Sequence, residues 1–167
     1  MIGHEMGADE LSDDNWPNSQ VTGSDPPVIS SVHGAYHAVT RRLDAATRPH
    51  GLEGSEALVL AFLLRDPGCS PSEVRHRLGF HRSTLSSLLD RLERDGLIHR
   101  ASNAYDGRRL EIKLTAAGRI AADTAELVIA HVEAELATYT SPVERRGAKA
   151  VFEACVAIGR PNRGAWS

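Results

Sequence analysis

The side chains best suited to chemistry crowd into one stretch of the chain, residues 70–113. Arg82 and Arg91 bracket a run of hydroxyls, Ser83, Thr84, Ser86 and Ser87, and Arg108 and Arg109 follow the dipeptide Asp106-Gly107. Guanidinium forks pair with phosphates and with guanine edges, and hydroxyls bond either a base edge or a phosphate. That chemistry suits a polyanion. The net charge of -3 argues against one at first. Its distribution changes the reading. Residues 1–27 hold Glu5, Asp9, Glu10, Asp13, Asp14 and Asp25 with no Lys or Arg, and without them the chain is mildly basic. The stretch 70–113 is also basic, with His76, His81 and His99 among its arginines. Such a balance permits a nucleic-acid partner without demanding one.

Other reactive residues point less far. His33 and His37 stand at i, i+4, a spacing that can chelate a metal, but no carboxylate or cysteine is placed beside them. The expectation is therefore no metal, and a structural or effector-pocket role for His33 and His37. Cys69 and Cys155 lack C-x-x-C spacing, and neither a zinc site nor a disulfide framework follows from them. Both read as packing residues, although Cys69, just before a helix start, has the better claim to a lowered pKa. No G-x-S-x-G, H-E-x-x-H, P-loop or dinucleotide fingerprint is present, so neither an enzyme nor a cofactor is expected. No run approaches a membrane span and the acidic N-terminus lacks a signal-peptide core, so the expected location is cytoplasmic.

The elements that position these residues can be read from period and punctuation. Residues 1–27 are polar, acidic and proline-marked, and read as a disordered tail. Val28, Val32, Tyr36, Val39 and Leu43 recur at helical spacing, and Pro49 and Gly51 end that helix. A second helix, about 55–65, is apolar on most sides and belongs inside a core. Ser70-Pro71-Ser72-Glu73 is a capping box with proline at the first helical position, and it opens a short third helix ending at Leu78-Gly79. A fourth helix, about 83–94, carries the stripe Leu85, Leu88, Leu89 and Leu92, which turns Ser83, Thr84, Ser86 and Ser87 outward. The period then falls to two. Leu97 to Arg100 and Arg109 to Lys113 read as a hairpin about a polar tip, Asn103 to Gly107. Thr115 caps a fifth helix, to about Ala137, with an expected stripe of Ile120, Thr124, Leu127, Val128 and His131, extending to Leu136. Ser141-Pro142-Val143-Glu144 opens a sixth, with Ala148, Val151, Phe152, Cys155 and Val156 on one face. Residues 161–167 read as frayed.

A short helix, a tight turn, a second helix and a charged hairpin form the winged helix-turn-helix plan. The fold class is thus mainly α with a small β wing, the winged unit spanning about 54–115. The projecting helix fits a DNA major groove, and a basic hairpin tip beside it reaches the minor groove, with Arg108 best placed to enter. Here the sequence resembles the MarR family of transcriptional regulators. The wing signature of that family is Asp-Arg-Arg, three variable residues, an aliphatic, one variable residue and Leu-Thr. It is matched by Asp106 to Thr115 at every anchor except Gly107. The run Ser83 to Glu93 followed by Gly96-Leu97-Ile98 resembles the family's recognition helix. The resemblance covers about residues 29–152 within an expected domain of 28–160. It implies dimerisation helices at about 28–48 and 116–158, and a ligand crevice between the dimerisation and DNA-binding parts.

The expectation is a homodimeric, sequence-specific double-stranded DNA-binding repressor. Its operator would be pseudo-palindromic, and a small-molecule effector would relieve it. Arg82, Ser83, Thr84, Ser86, Ser87, Arg91, Arg108 and Arg109 are the candidate DNA contacts. Two departures from the family stand out. Ser86-Ser87 replaces a common Thr-Arg, which removes a long donor, and His81 occupies a cap position where histidine is a poor N-cap. Asp90 is expected to orient an arginine, and Arg91 either touches phosphate or answers Asp90. The competing reading is a winged-helix module that binds protein and no DNA.

Overall fold

The computed structural model describes residues 27–102 and 110–159. Six helices and one strand pair follow in the order α1 (Val28–Thr47), α2 (Gly54–Arg65), α3 (Pro71–Leu78), α4 (Arg82–Arg94), β1 (Ile98–Ser102), β2 (Leu110–Leu114), α5 (Ala116–Tyr139) and α6 (Pro142–Ile158), with a 3-10 turn at Arg48–His50 closing α1. Residues 1–26, 103–109 and 160–167 lie outside the described residues, and with them the expected tail of 1–27 but for Pro27, the hairpin tip Asn103 to Gly107 and the frayed end 161–167.

The helix starts are chemically explicit. Ser70 accepts from the Glu73 backbone N–H while Glu73 Oε2 accepts from the Ser70 N–H at 2.7 Å, and Ser141 and Glu144 repeat the pattern at α6. Pro71 and Pro142 occupy the first turns, where no backbone donor is needed. Between α3 and α4 the chain turns at Gly79, whose φ of 72° is left-handed and favours glycine. His81 makes no side-chain cap bond to α4, in keeping with its poor capping chemistry.

The core is a single cluster. Helix α2 runs through its middle with Ala57, Val59, Leu60, Ala61 and Leu63 buried; Val74, the four leucines of α4, Ile98 and Ile112 close around it. The strands pair antiparallel with Ile98 opposite Leu114, Arg100 opposite Ile112 and Ser102 opposite Leu110. Helix α2 also packs along α5, and there the sequence expectation needs correcting. The buried residues of α5 are Gly118, Ala122 and Ala125. Ile120 and Leu127, expected in the stripe, are 70% and 73% exposed. Small side chains allow two helix backbones to approach closely, so the alanines take the interior and the larger residues turn away from α2.

Outward-facing apolar residues are common on the terminal helices. Val28, Ile29, Tyr36 and Val39 of α1, Tyr139 of α5, and Val143, Val156 and Ile158 of α6 are all more than half exposed, and α6 has no buried residue. The shared apolar face read for α1 is therefore real in spacing, but only Leu43 of it is buried within the chain.

Candidate nucleic-acid interface

Leu85, Leu88, Leu89 and Leu92 anchor α4 in the core and thereby fix which side chains point out. Arg82, Ser83, Thr84, Ser86 and Ser87 are all exposed. None of their side chains makes a hydrogen bond or ion pair with another described residue. Five polar side chains thus stand exposed in the first half of a helix, the part that reaches base edges when such a helix enters a major groove. Beside them runs a groove of about 430 Å³ between α3, α4 and the strand pair, into which Ser72, Arg75, Arg82, Ser86 and Arg100 project. Three guanidinium groups from three elements reach it; Arg100 is paired with Asp90 and Glu93, so Arg75 and Arg82 supply the positive charge that draws phosphate. Arg108 and Arg109 lie outside the described residues. Their place in the chain is immediately before β2, on the segment that joins the two strands.

Arg91 is engaged elsewhere. Its Nη1 and Nη2 donate to the Glu53 carboxylate at 2.9 and 2.6 Å, and its Nε donates to Glu56, a residue only 5% exposed. The hydrogen bond to Glu53, with Glu56 adding, raises the Arg91 pKa above its ordinary value, against a smaller opposing effect of burial. The pairing of Arg91 with Asp90, one of the two roles open to it from the sequence, does not form. Adjacent residues on a helix point about 100° apart, so the two reach different neighbours. Asp90 instead binds Arg100 of β1 at 2.7 Å, and Glu93 accepts from the Arg100 backbone N–H at 2.9 Å.

The base of the strand pair is fastened to α4 and α5 together. Thr115 Oγ1 donates to the carbonyl of Gly96 at 2.6 Å and accepts from the Gly118 N–H at 2.9 Å, while the Thr115 N–H donates to the carbonyl of Leu97 at 3.0 Å. Gly118 lies against that same Leu97 carbonyl. The strands therefore leave the body at a fixed place beside α4.

His33 and His37 stand exposed on α1, ring edge to ring face with centroids 4.5 Å apart. The apolar cavity nearby is lined by other residues: Val32, Tyr36, Val39 and Leu43 of α1, with Phe80 and Phe152. The histidines sit one step further round the helix than that face. Cys69 is buried and Cys155 half-buried, and neither is in a disulfide.

Sequence reasoning named the exposed face of α4 but missed the groove arginines Arg75 and Arg100, the carboxylates that take Arg91, and the cavity lining. One signal was available. Glu53-Gly54-Ser55-Glu56 has capping-box spacing, and such a pair presents two carboxylates at one helix start.

Comparison with known proteins agrees with this geometry. Residues 50–109 match the model of the MarR family. The HTH-type transcriptional repressor Rv2887 of Mycobacterium tuberculosis, also solved as a MarR family protein in complex with salicylic acid, is 34% identical over 104 residues, covering 62% of this chain and 75% of that protein. The chain belongs to the MarR family. This MarR-family chain is also 36% identical over 106 residues to the HTH-type transcriptional regulator TtmR of Methylorubrum extorquens, spanning 60% of its own length and 54% of that relative's. The structure of the M. tuberculosis transcriptional regulator MosR in complex with DNA superposes with a TM-score of 0.68 at 29% identity, over 81% of this chain and 100% of that one. The family and these relatives are DNA-binding transcriptional regulators and not enzymes. Among the described residues no helix is long and apolar enough to cross a membrane.

Proposed function

We propose that this MarR-family chain is a cytoplasmic homodimer that binds a pseudo-palindromic operator in double-stranded DNA and represses transcription. The observation that carries this reading is the free polar face of α4, Arg82 to Ser87, standing beside the arginine-lined groove at the root of the strand pair. Arg82, Ser83, Thr84, Ser86 and Ser87 contact bases and phosphates in the major groove. Arg108 enters the adjacent minor groove and Arg109 supports it from the backbone side. The winged unit, about 54–115, reads DNA, and α1, α5 and α6 dimerise. Support for dimerisation is the set of large apolar side chains that those helices leave exposed on the monomer, Val28, Ile29, Tyr36, Val156 and Ile158 among them. A two-fold axis then presents two copies of α4, with half-sites about one helical turn, roughly 10 bp, apart.

An effector fits the same scheme. The apolar cavity, about 430 Å³, touches α1, the start of α2, α6 and the Leu78-Gly79-Phe80 link that leads into α4. A small aromatic or aliphatic molecule seated there would favour one placement of α4 over another and so shift operator affinity. That one relative was solved with salicylic acid supports a small aromatic acid as the first probe.

Duplex titration over a series of salt concentrations tests the reading. A DNA-binding dimer loses affinity steeply, with a log–log slope of about -0.9 for each phosphate neutralised. A flat or absent response would favour the protein-interaction module, for which the Ser86-Ser87 pair and the overall acidity speak.

A further inference from the structure

Helix α4 is held from two sides, both times by arginine and carboxylates. On the strand side, Asp90 and Glu93 take Arg100 of β1. On the other, Arg91 of α4 takes Glu53 and Glu56 at the start of α2. The second tie continues beyond α2. Glu56 Oε2 accepts from the Glu53 N–H at 2.8 Å, and the next backbone donor, the Gly54 N–H, bonds Asp44 Oδ1 of α1 at 2.7 Å. Short hydrogen bonds, bridged by the Glu53-Gly54 peptide, thus join α1, the first turn of α2 and the last turn of α4.

The electrostatics of that junction are wrong for a phosphate. One guanidinium faces two carboxylates, and the hollow around it adds Asp44 and Asp95 against Arg48 alone. The locality is net negative, although Arg91 lies on the helix whose earlier residues face outward. The Arg91 fork spends its Nε and both terminal nitrogens on carboxylates. Glu56, nearly out of solvent, depends on that partner, because a buried carboxylate without one is strongly disfavoured.

We propose that Arg91 is a positioning residue for DNA recognition and not a DNA contact. Its double ion pair with Glu53 and Glu56 sets the pitch of α4 relative to α1 and α2, and so the register in which Arg82 to Ser87 meet the base edges. This rests on the DNA-binding reading above and adds to it a residue that governs selectivity from outside the interface.

The test compares full-length variants on two labelled duplexes, one carrying the site selected from random DNA and one of scrambled sequence, across a salt series. Arg82→Ala serves as the phosphate-contact reference, with a slope smaller by about 0.9. Glu56→Gln is the decisive variant, because it removes a negative charge. Simple attraction would then tighten binding to both duplexes. Positioning predicts the opposite for the selected site: a loss of about tenfold, with scrambled-duplex affinity unchanged or raised. Arg91→Gln should show the same loss with the wild-type slope, and the double variant should be no weaker than Arg91→Gln alone. Arg91→Lys keeps the charge but not the fork, and should lose selectivity at unchanged slope. It also keeps the test decisive if Arg91→Gln fails to fold.

A slope reduced by about one in Arg91→Gln would make Arg91 a phosphate contact and overturn the proposal. So would tighter selected-site binding by Glu56→Gln, or wild-type selectivity in Arg91→Lys. A wild-type protein that does not distinguish the two duplexes would instead overturn the DNA-binding reading itself.

Discussion

Replacing Gly118 by alanine should destabilise this protein, although the same change in a helix elsewhere commonly stabilises it. Gly118 lies in the first turn of α5, where alanine gains about 1 kcal/mol of helix propensity over glycine. Here a Cβ would overlap the carbonyl oxygen of Leu97 and lie 2.8 Å from its carbon. Both atoms are backbone and cannot rotate away, so α5 must lift from the end of α4. Lifting loosens the two bonds that cross this junction, Thr115 Oγ1 to Gly96 O and Thr115 N–H to Leu97 O. Each is worth about 1 kcal/mol net. Forced overpacking costs a further 1–3 kcal/mol, roughly, in a well-packed site. Set against the propensity gain, the net loss is about 2–4 kcal/mol, or about 5–15 °C in melting temperature for a chain of this size. Thermal and urea unfolding of purified Gly118→Ala would measure it. A variant that melts at or above the wild-type temperature would refute the claim that this close approach fastens the strand pair to the body.

Three further outcomes follow from the same geometry. Arg108→Ala should weaken specific duplex binding by about 1–3 kcal/mol with the melting temperature unchanged, and unaltered affinity at fixed salt would count against the minor-groove role. Glu135 of α5 accepts from Arg42 Nε of α1 at 2.9 Å, and that bond holds its pKa below the ordinary glutamate value. A depressed folded-state pKa means that the α1–α5 tie contributes at pH above the unfolded value and is lost as pH falls through the lower, folded one. Carboxyl titration by NMR should therefore place the Glu135 midpoint below the ordinary glutamate range and return it upward in Arg42→Ala; an unshifted wild-type midpoint would contradict the pairing. Light scattering should give wild type twice the 18.1 kDa chain mass, and Ile29→Glu combined with Val156→Glu the mass of one chain. A monomeric wild type would remove the dimer.

Much of the architecture was legible because it is written in local chemistry. Ser70-Pro71-Ser72-Glu73 and Ser141-Pro142-Val143-Glu144 state helix starts in four residues, and both form. The leucine stripe of α4 fixes its buried face, hence its exposed one, without knowledge of any partner. The change of period after Gly96 announces the strand pair. What could not be read depends on residues far apart in sequence. The stripe expected on α5 chose the larger apolar residues, yet α2 demands small ones, and only the packed pair reveals the preference for Ala122 and Ala125. Arg91 was placed among DNA contacts because of its helix, and the carboxylates that it bonds within the chain, Glu53 and Glu56, stand 38 and 35 residues away. The cavity at Tyr36 and Phe152 lies between α1 and α6, far apart in sequence, so helical spacing around His33 and His37 could not locate it.

The most direct test of the central claim is selection of bound sequences from a pool of random duplexes by the purified full-length protein. Two copies of α4 related by a two-fold axis predict enrichment of an inverted repeat with half-site centres about 10 bp apart, lost when Arg82 and Arg108 are replaced together. An unenriched pool, or a single unrepeated motif indifferent to those replacements, would contradict it.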